Sequence, residues 1–582
     1  MTIINDCMDE QQQLATVKAP WDNYHRSVAA WVLPQTEQFD SMVHSGAGAA
    51  GVMAVTNTPV AAERSKHIYD MTSLWAIDRL TAGLVSLKTP ESDNWHDLNV
   101  DSDFGYAPSF EEKTALERTR DYMFKVRGNP KSGFWPAHKA AVKSMCGFGD
   151  GWLFIEELMG SRTPFRYEFM PLPELFPSVG PDGQPDRMHR VFNWTAKQIA
   201  TKWPDKAGQK VIDMANDAKR QHERMPVLHC VRPRTDQLRG LGVKGAAYAS
   251  YYILPTEKHL INESGYWEFP FTRYAWSNHG QRAFCEGPVA LAIAEIQSLQ
   301  AMARDELIAS QMLLRPPIAT HGKNFTRLNF NAGAVNPGLI SGDGQPLFAP
   351  LNAGVRPDFA QSIIESRRNN VREMLYLNLW QILVSEQSGS QETATRSMLR
   401  AQEKGEMLGP VGISLNEGLS HNIDREVSIM GRKGAFRPGS PLEMPEALAG
   451  KDVSPEFTSP LDRLRRMGQV TGMRSVLEMV PLLEQVKPGI SKRIDADEIL
   501  EITQDVMGAP AKMLKARSTG EEASAAIDQQ SQAAAQLGAT QQAGEAAAAV
   551  GNGAKQIAEG GEAAANSPAL QQLLASVSGQ AA

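Results

Sequence analysis

The chain has 582 residues, a formal net charge of -7, a mean hydropathy of -0.33, 42% hydrophobic residues and 21% charged residues. These values exclude a disordered, collagen-like or membrane-embedded chain and point to a soluble globular protein of about two to four structural units. The acidic balance also argues against a tight nucleic-acid clamp, so any DNA contact is expected to be local or weak.

In chain order, residues 20–44 open on Pro20 and carry apolar residues at helical spacing until Pro34 interrupts. Residues 59–88 read as one long helix, with Ile68, Met71, Leu74, Trp75, Ile77, Leu80 and Leu84 on one stripe. Residues 108–128 and 136–146 are further helices. The texture then changes to β-branched and aromatic residues punctuated by Gly and Pro. Trp152–Ile155, Phe165–Phe169, Val191–Trp194 and Val227–Val231 are expected strands, with a turn at Pro181-Asp182-Gly183.

Residues 287–315 predict a long helix with Pro288 in its first turn and Pro316-Pro317 ending it. Residues 316–357 are rich in Gly, Asn and Pro, and Asp343-Gly344 signals a hairpin. A second long helix is expected over 358–384, with an apolar stripe through Ile363 or Ile364, Val371, Met374 or Leu375, Leu379 and Ile382 and a polar face of Glu365, Arg368 and Arg372. The polar stretch Ser385–Thr393 separates it from a third helix, 394–408, which Pro410 is expected to kink or break. Residues 461–487 and 495–515 predict more helices. From about Arg517 the sequence falls into Ala, Gln, Glu, Ser and Gly, with little apolar surface to offset ordering, so a mobile tail is expected.

Catalytic patterns are sparse. There is no G-x-x-x-x-G-K-S/T loop, no H-E-x-x-H helix and no G-x-S-x-G elbow. Gly147-Phe148-Gly149-Asp150-Gly151 precedes a strand instead of linking strand to helix, which favours a tight turn over a phosphate cradle. Asp101, Asp103 and Glu112 fit parts of a calcium loop, but Tyr106 stands where that loop needs glycine. Glu156 and Glu157 are neighbours on a strand and face opposite ways, so they do not pair across one substrate. Cys7, Cys146, Cys230 and Cys285 form no Cys-x-x-Cys motif and read as buried thiols of a reducing compartment. No secretory signal and no membrane span are expected.

Three stretches resemble the head-to-tail connector (portal) family of short-tailed bacteriophages. They are Tyr69–Leu98, where a helix ends before Pro90 and Trp95; residues 287–319; and residues 392–419. The last carries Thr393-Ala394-Thr395, Arg400-Ala401-Gln402-Glu403 and Leu408-Gly409-Pro410. Ile494–Leu514 is a weaker fourth match, with Ile494-Asp495 and Gly508-Ala509-Pro510.

The resemblance implies an α+β, predominantly helical portal-type subunit that closes into a ring of about twelve copies. It assigns 1–286 to an α/β wing, 287–315 and 358–384 to a two-helix stem, and 316–357 to a small β-containing clip. Residues 385–393 become a channel loop, 394–457 a helix returning to the wing, 458–520 a helical crown and 521–582 a flexible tail or barrel. Candidates for the DNA channel are Arg304, Arg368, Arg372, Ser388, Gly389, Gln391, Arg396 and Lys404. An ion pair within or between subunits is an equal reading for each of these cations, and Glu365 lies within one turn of Arg368. Clip docking candidates are Lys323, Phe325, Arg327, Asp343 and Phe348.

The implied partners are further copies of the chain, the terminase large subunit, tail adaptors, major capsid and scaffolding proteins, and double-stranded DNA passing without sequence readout. No cofactor, metal or catalytic role is implied. The implied location is the virion, after assembly in host cytoplasm. The alternatives are another phage ring or adaptor without a motor-docking role and, more remotely, a phage enzyme.

Overall fold

The computed structural model describes residues 2–34, 65–100, 109–158, 163–236, 242–277, 282–320, 340–350, 357–377, 394–448 and 450–486, with a few isolated positions besides. The chain divides into two compact units, Met1–Ile494 with Asp505–Gly508 and Asp495–Gln504 with Ala509–Ala582. Every element below belongs to the first. Its fold is α+β.

Helix α1 (Thr2–Trp31) begins well before the expected start at Pro20 and runs through that proline. Its inward stripe is Cys7, Gln11, Lys18, Asp22 and His25, all buried. The spacing is helical but the composition is polar, so hydrophobic periodicity does not reveal it. Lys18 makes burial tolerable by donating to the Leu172 and Pro173 carbonyls at 3.2 and 2.6 Å.

Helix α2 (Thr72–Lys88) starts later than the expected residue 59; a 3-10 turn occupies Ser65–His67, and residues 59–64 lie outside the described ones. Asp70 Oδ1 accepts the Thr72 amide at 2.8 Å, an Asx turn that sets the start. Strand β1 (His96–Val100) follows. Helix α3 (Phe110–Arg127) is opened by a capping box in which Ser109 and Glu112 exchange backbone bonds, so Glu112 serves the helix end and not a calcium loop. Asp101 and Asp103 lie outside the described residues.

Helix α4 (Phe134–Phe148) turns directly into strand β2 (Asp150–Glu157) at Gly149, whose φ is 103°. A Cβ there would meet the Cys285 carbonyl at 2.3 Å, so this position needs glycine on both counts. The glycine-rich segment is therefore the tight turn that the sequence favours. Strand β3 (Phe165–Met170) pairs antiparallel with β2. Strands β4 (Leu175–Val179) and β5 (Pro185–Thr195) flank the expected turn at Gly183. Helices α5 (Ala196–Lys202) and α6 (Gln209–Asn216) lead to β6 (Arg224–Pro233), β7 (Tyr248–Leu254) and β8 (His259–Tyr266).

Strands β4 to β8 form an antiparallel five-stranded meander. Alternation decides its two faces. Leu228 and Cys230 of β6 meet Cys7 of α1 on one face, while Met225 and Val227 join Ile199 and Val211 on the other. Strand β9 (Phe271–Ala275) completes a separate sheet in the order β3-β2-β9.

Helix α7 (Pro288–Leu314) is followed by β10 (Ile318–Thr320), β11 (Phe348–Pro350) and helix α8 (Pro357–Met374). Helix α8 ends at Met374, where one unbroken helix to residue 384 is expected: Tyr376 adopts a left-handed φ of 60°, helical conformation returns at Leu377, and residues 378–384 lie outside the described ones. Helix α9 (Ala394–Arg432) is continuous through Pro410, where a kink or break is expected, and reaches past the expected continuation toward Met430. Leu408, Val411, Leu415, Leu419 and Ile423 are all buried along it, and that burial outweighs the roughly 3 kcal/mol cost of an interior proline. Gly418 lets α9 press on β9: a Cβ there would stand 2.4 Å from the Arg273 carbonyl oxygen. Strand β12 (Val453–Phe457) returns to pair with β1, and helix α10 (Pro460–Val486) packs on α9. The expected helix 495–515 and the tail beyond it lie outside the described residues apart from isolated positions.

His25 and His138 are buried, and burial pushes each down from 6.5 to about 3. Between those values the unfolded chain binds a proton that the folded chain does not. Stability is therefore lost as pH falls below 6.5, by up to about 1.4 kcal/mol per pH unit for each histidine. Replacing His25, which sits among Trp21, Phe148 and Phe284, by Phe should reduce the acid sensitivity of the urea midpoint between pH 6.5 and 5. All other groups titrate in both proteins, so parallel pH profiles for the variant and the wild type would refute the assignment.

Candidate functional site

The two long helices α7 and α8 lie antiparallel. Glu295, early in α7, takes Arg367 at 2.8 Å and Asn370 at 3.2 Å, both late in α8. At the far end β10 pairs antiparallel with β11. Ile340 and Pro346 form a bridge around the Asp343-Gly344 turn, as the hairpin signal expects.

Helix α7 has two different halves. Val289, Ala292, Ile296, Leu299 and Gln300 are buried at spacings of three and four. From Ala301 to Leu314 no residue is buried, a length of roughly 20 Å. Leu307, Ile308, Met312, Leu313 and Leu314 are exposed there, Leu314 to 83%. In α8, Ile364, Val371 and Leu375 supply the buried stripe.

A polar seam roots the pair. Gln300 Oε1 accepts the Tyr69 and Asp70 amides at 2.8 and 2.9 Å, and its Nε2 donates to the Asp70 carbonyl at 2.6 Å. The carboxylate of Asp70 takes Arg368 at 2.7 Å. Burial pushes this carboxyl up, but the Thr72 and Arg368 hydrogen bonds outweigh it and hold the group below its usual range. Glu365 receives Arg368 at 3.1 Å and Arg372 at 2.8 Å, and these bonds likewise hold its carboxyl low.

The seam answers part of the sequence reading. Arg368 and Arg372 share Glu365, and Arg368 also meets Asp70, all within one chain, in line with the Glu365–Arg368 pairing that the spacing suggests. Glu365 with Arg368 was visible as an i, i+3 pair; Asp70 and Gln300 carried no signal. Arg304 is exposed on the free half of α7. Arg396 and Lys404 lie on α9, with side chains outside the described residues, as is that of Phe348 on β11. Asp343 is exposed at its turn. Ser388, Gly389, Gln391, Lys323, Phe325 and Arg327 lie outside the described residues.

A cleft of about 480 Å³ opens between the two sheets, lined by Phe154, Glu156, Arg190, Trp194, His229 and Tyr252 among others. Arg166 takes Glu156 at 3.0 Å, Arg190 takes Glu174 at 2.9 Å, and Lys202 lies over the Trp194 ring. His229 stacks on Tyr252 at 4.0 Å, and burial pushes it well below its ordinary value. Glu157 points the other way to Arg432 at 3.2 Å, as neighbouring strand positions require. Among the described residues no group of three or more His, Cys, Asp or Glu is arranged for a metal, and no helix is long and apolar enough to cross a membrane.

These features define a class: an α+β structural subunit whose polar interior ties distant elements together and from which a two-helix arm projects. The family described as bacteriophage head to tail connecting protein matches residues 5–514, and the chain belongs to that family. A search of curated proteins finds no match. The family is structural and supports a connector role in the phage virion, with capsid and tail as neighbours.

If the seam roots the arm, Asp70→Asn keeps the acceptor for Thr72 and loses the charge on Arg368, costing about 1 kcal/mol after allowance for solvent screening. Asp70→Ala also removes the turn at the start of α2 and costs about 2 kcal/mol. Urea unfolding of both variants measures the difference; equal and negligible losses would remove the seam from the account.

Proposed function

We propose that copies of this chain close into a ring whose axial channel passes double-stranded DNA into and out of the capsid. In this reading α7 and α8 form the stem. Residues 316–357 form the clip that docks the packaging motor, through the terminase large subunit, and later the tail adaptors. Residues 385–393 form a loop facing the channel, and residues from 458 onward a crown inside the head, formed with the help of scaffolding and major capsid proteins.

The observation that carries this reading is the free half of α7. The exposed apolar residues from Leu307 to Leu314, about 10 Å along the helix, leave an unsatisfied surface on a lone chain. A neighbouring copy covers it, and a wedge covered on both flanks closes into a ring. The charge balance suits the cargo. Strong phosphate binding would hold DNA still, whereas a net charge of -7 per chain lets a polyanion slide.

Electron microscopy of the purified, assembled protein should show rings with a central hole. Leu307→Glu combined with Met312→Glu should leave a folded chain but shift at least about nine-tenths of it from ring to monomer by sedimentation, because two charges then enter an apolar contact. Lone monomers under every assembly condition, for the unaltered chain, would overturn the proposal.

The channel loop has its own test. Deleting Ser388–Gln391 should leave rings assembled but impair DNA packaging or retention. Normal packaging and retention of full-length DNA in that variant would take the loop out of the mechanism.

A further inference from the structure

The first turns of α1 lie on one face of the five-stranded sheet, held by polar contacts. Glu10 meets Arg187 at 2.8 Å and Arg232 at 3.2 Å, and Gln11 meets His189 at 3.1 Å. These contacts fix the rotation of the helix. Cys7, one turn earlier, is thereby placed in the apolar cluster of Phe176, Leu228 and Cys230. Cys7 and Cys230 are both free, fully buried members of that one cluster, and each acts on the other: Cys230 pulls the Cys7 thiol down, and Cys7 adds to the burial that pushes the Cys230 thiol up. The other two cysteines are placed differently: Cys285 Sγ donates to the Ser277 carbonyl at 2.7 Å, and Cys146 interacts with Thr81.

We propose that Cys7 and Cys230 are a modification site, an intrachain disulfide that forms when the chain meets a small-molecule disulfide such as oxidised glutathione, and that then staples α1 to the sheet. Nothing in this depends on the ring. Burial shields both sulfurs while α1 is docked, so the reaction runs through opening of its first turns, the end of the helix whose hold is polar and partly solvated.

Cys7 is the attacking group, because opening of α1 carries its sulfur into solvent while Cys230 stays in place on β6, the middle strand of the sheet. Cys7 gives its proton to solvent, and its thiolate attacks one sulfur of the oxidant. A Cys7–glutathione bond forms, the oxidant's S–S bond breaks, and one glutathione thiolate leaves. As α1 redocks, Cys230 loses its proton and attacks the Cys7 sulfur, releasing the second glutathione thiolate. Both leaving thiolates take up protons. Two electrons pass from the cysteine pair to the oxidant, and two glutathione thiols are produced for each protein disulfide.

The full-length protein is warmed with oxidised glutathione to just below its unfolding transition, alkylated and digested without reductant. Mass spectrometry should find one linked peptide pair, Cys7 with Cys230, and a loss of about 2 Da, with Cys146 and Cys285 still alkylated. Hydrogen exchange of the α1 amides should slow at least about tenfold and recover on adding reductant. Cys7→Ser and Cys230→Ser should show neither change; should either variant fail to fold, the oxidised and re-reduced natural chain still provides the comparison. Two results would overturn the proposal: both thiols remaining alkylatable while the α1 amides exchange freely, or a glutathione adduct persisting on Cys7 with no linked pair.

Discussion

Arg127 and Glu426 meet in the interior with side chains 1% and 0% exposed, and the rest of the body is arranged around that meeting. The guanidinium reaches the carboxylate at 2.9 Å, the Tyr167 hydroxyl donates to the same carboxylate, and His96 faces the guanidinium at 2.6 Å. Burial pushes the Glu426 carboxyl up, and Arg127 and Tyr167 pull it back. Taking two charges out of water costs several kcal/mol for each, and only this geometry offsets it; removing one partner alone typically costs about 3–5 kcal/mol. The cluster therefore selects one arrangement of α3, β1, β3 and α9, since any other leaves a buried charge unmatched.

The same device recurs wherever sequence-distant segments must be joined. Lys88, in the last turn of α2, pairs with Asp462 at the start of α10. Asp150 pairs with Arg273 across β2 and β9 and also accepts the Cys285 amide, which fixes the approach to α7. Arg425 of α9 donates to the Ile155 carbonyl of β2 at 3.1 Å. Residues 394–462 are thus bound back into the body formed by the first 286, and both ends of the α7–α8 excursion are anchored in it. The base of the arm is thus tied through Gln300 and Asp70 to α2, and α2 through Lys88 to α10.

Much of this was legible in the sequence, for identifiable reasons. Helix α7 has Pro at its start, Pro-Pro beyond its end and an apolar stripe; α3 and the strands β2, β3, β5 and β6 carry similarly local signals. Four connector-like stretches in order gave the family that the match over residues 5–514 shows. What was hidden depends on partners far along the chain. The stripe of α1 is made of Cys, Gln, Lys, Asp and His, and only the sheet and carbonyls it meets make those residues inward-facing. Pro410 reads as a break because the burial that overrides it comes from β9 and α10. The early end of α8 rests on a left-handed Tyr376, a position where glycine would have been a signal. Asp70 as the anchor of Arg368 lies 298 positions away from it.

That last pairing bears on how the proposed channel treats DNA. A cation held by a carboxylate of its own chain projects little field beyond a Debye length, about 8–10 Å in physiological salt. Arg367, Arg368 and Arg372 are all engaged in this way, so the second stem helix offers DNA a nearly neutral surface. Repetition around a ring multiplies that neutrality as faithfully as it would multiply a charge. Arg304 is exposed on the free half of α7, but Asp305 and Glu306 follow it directly, so that half of the helix carries no net positive charge either. The salt-dependent affinity that would arrest sliding grows with the number of phosphates bound, and neither helix offers a cationic face to bind them. In the proposed ring, the ion pairs that root the arm also keep its surface from holding the cargo, and one set of charges serves both anchoring and passage.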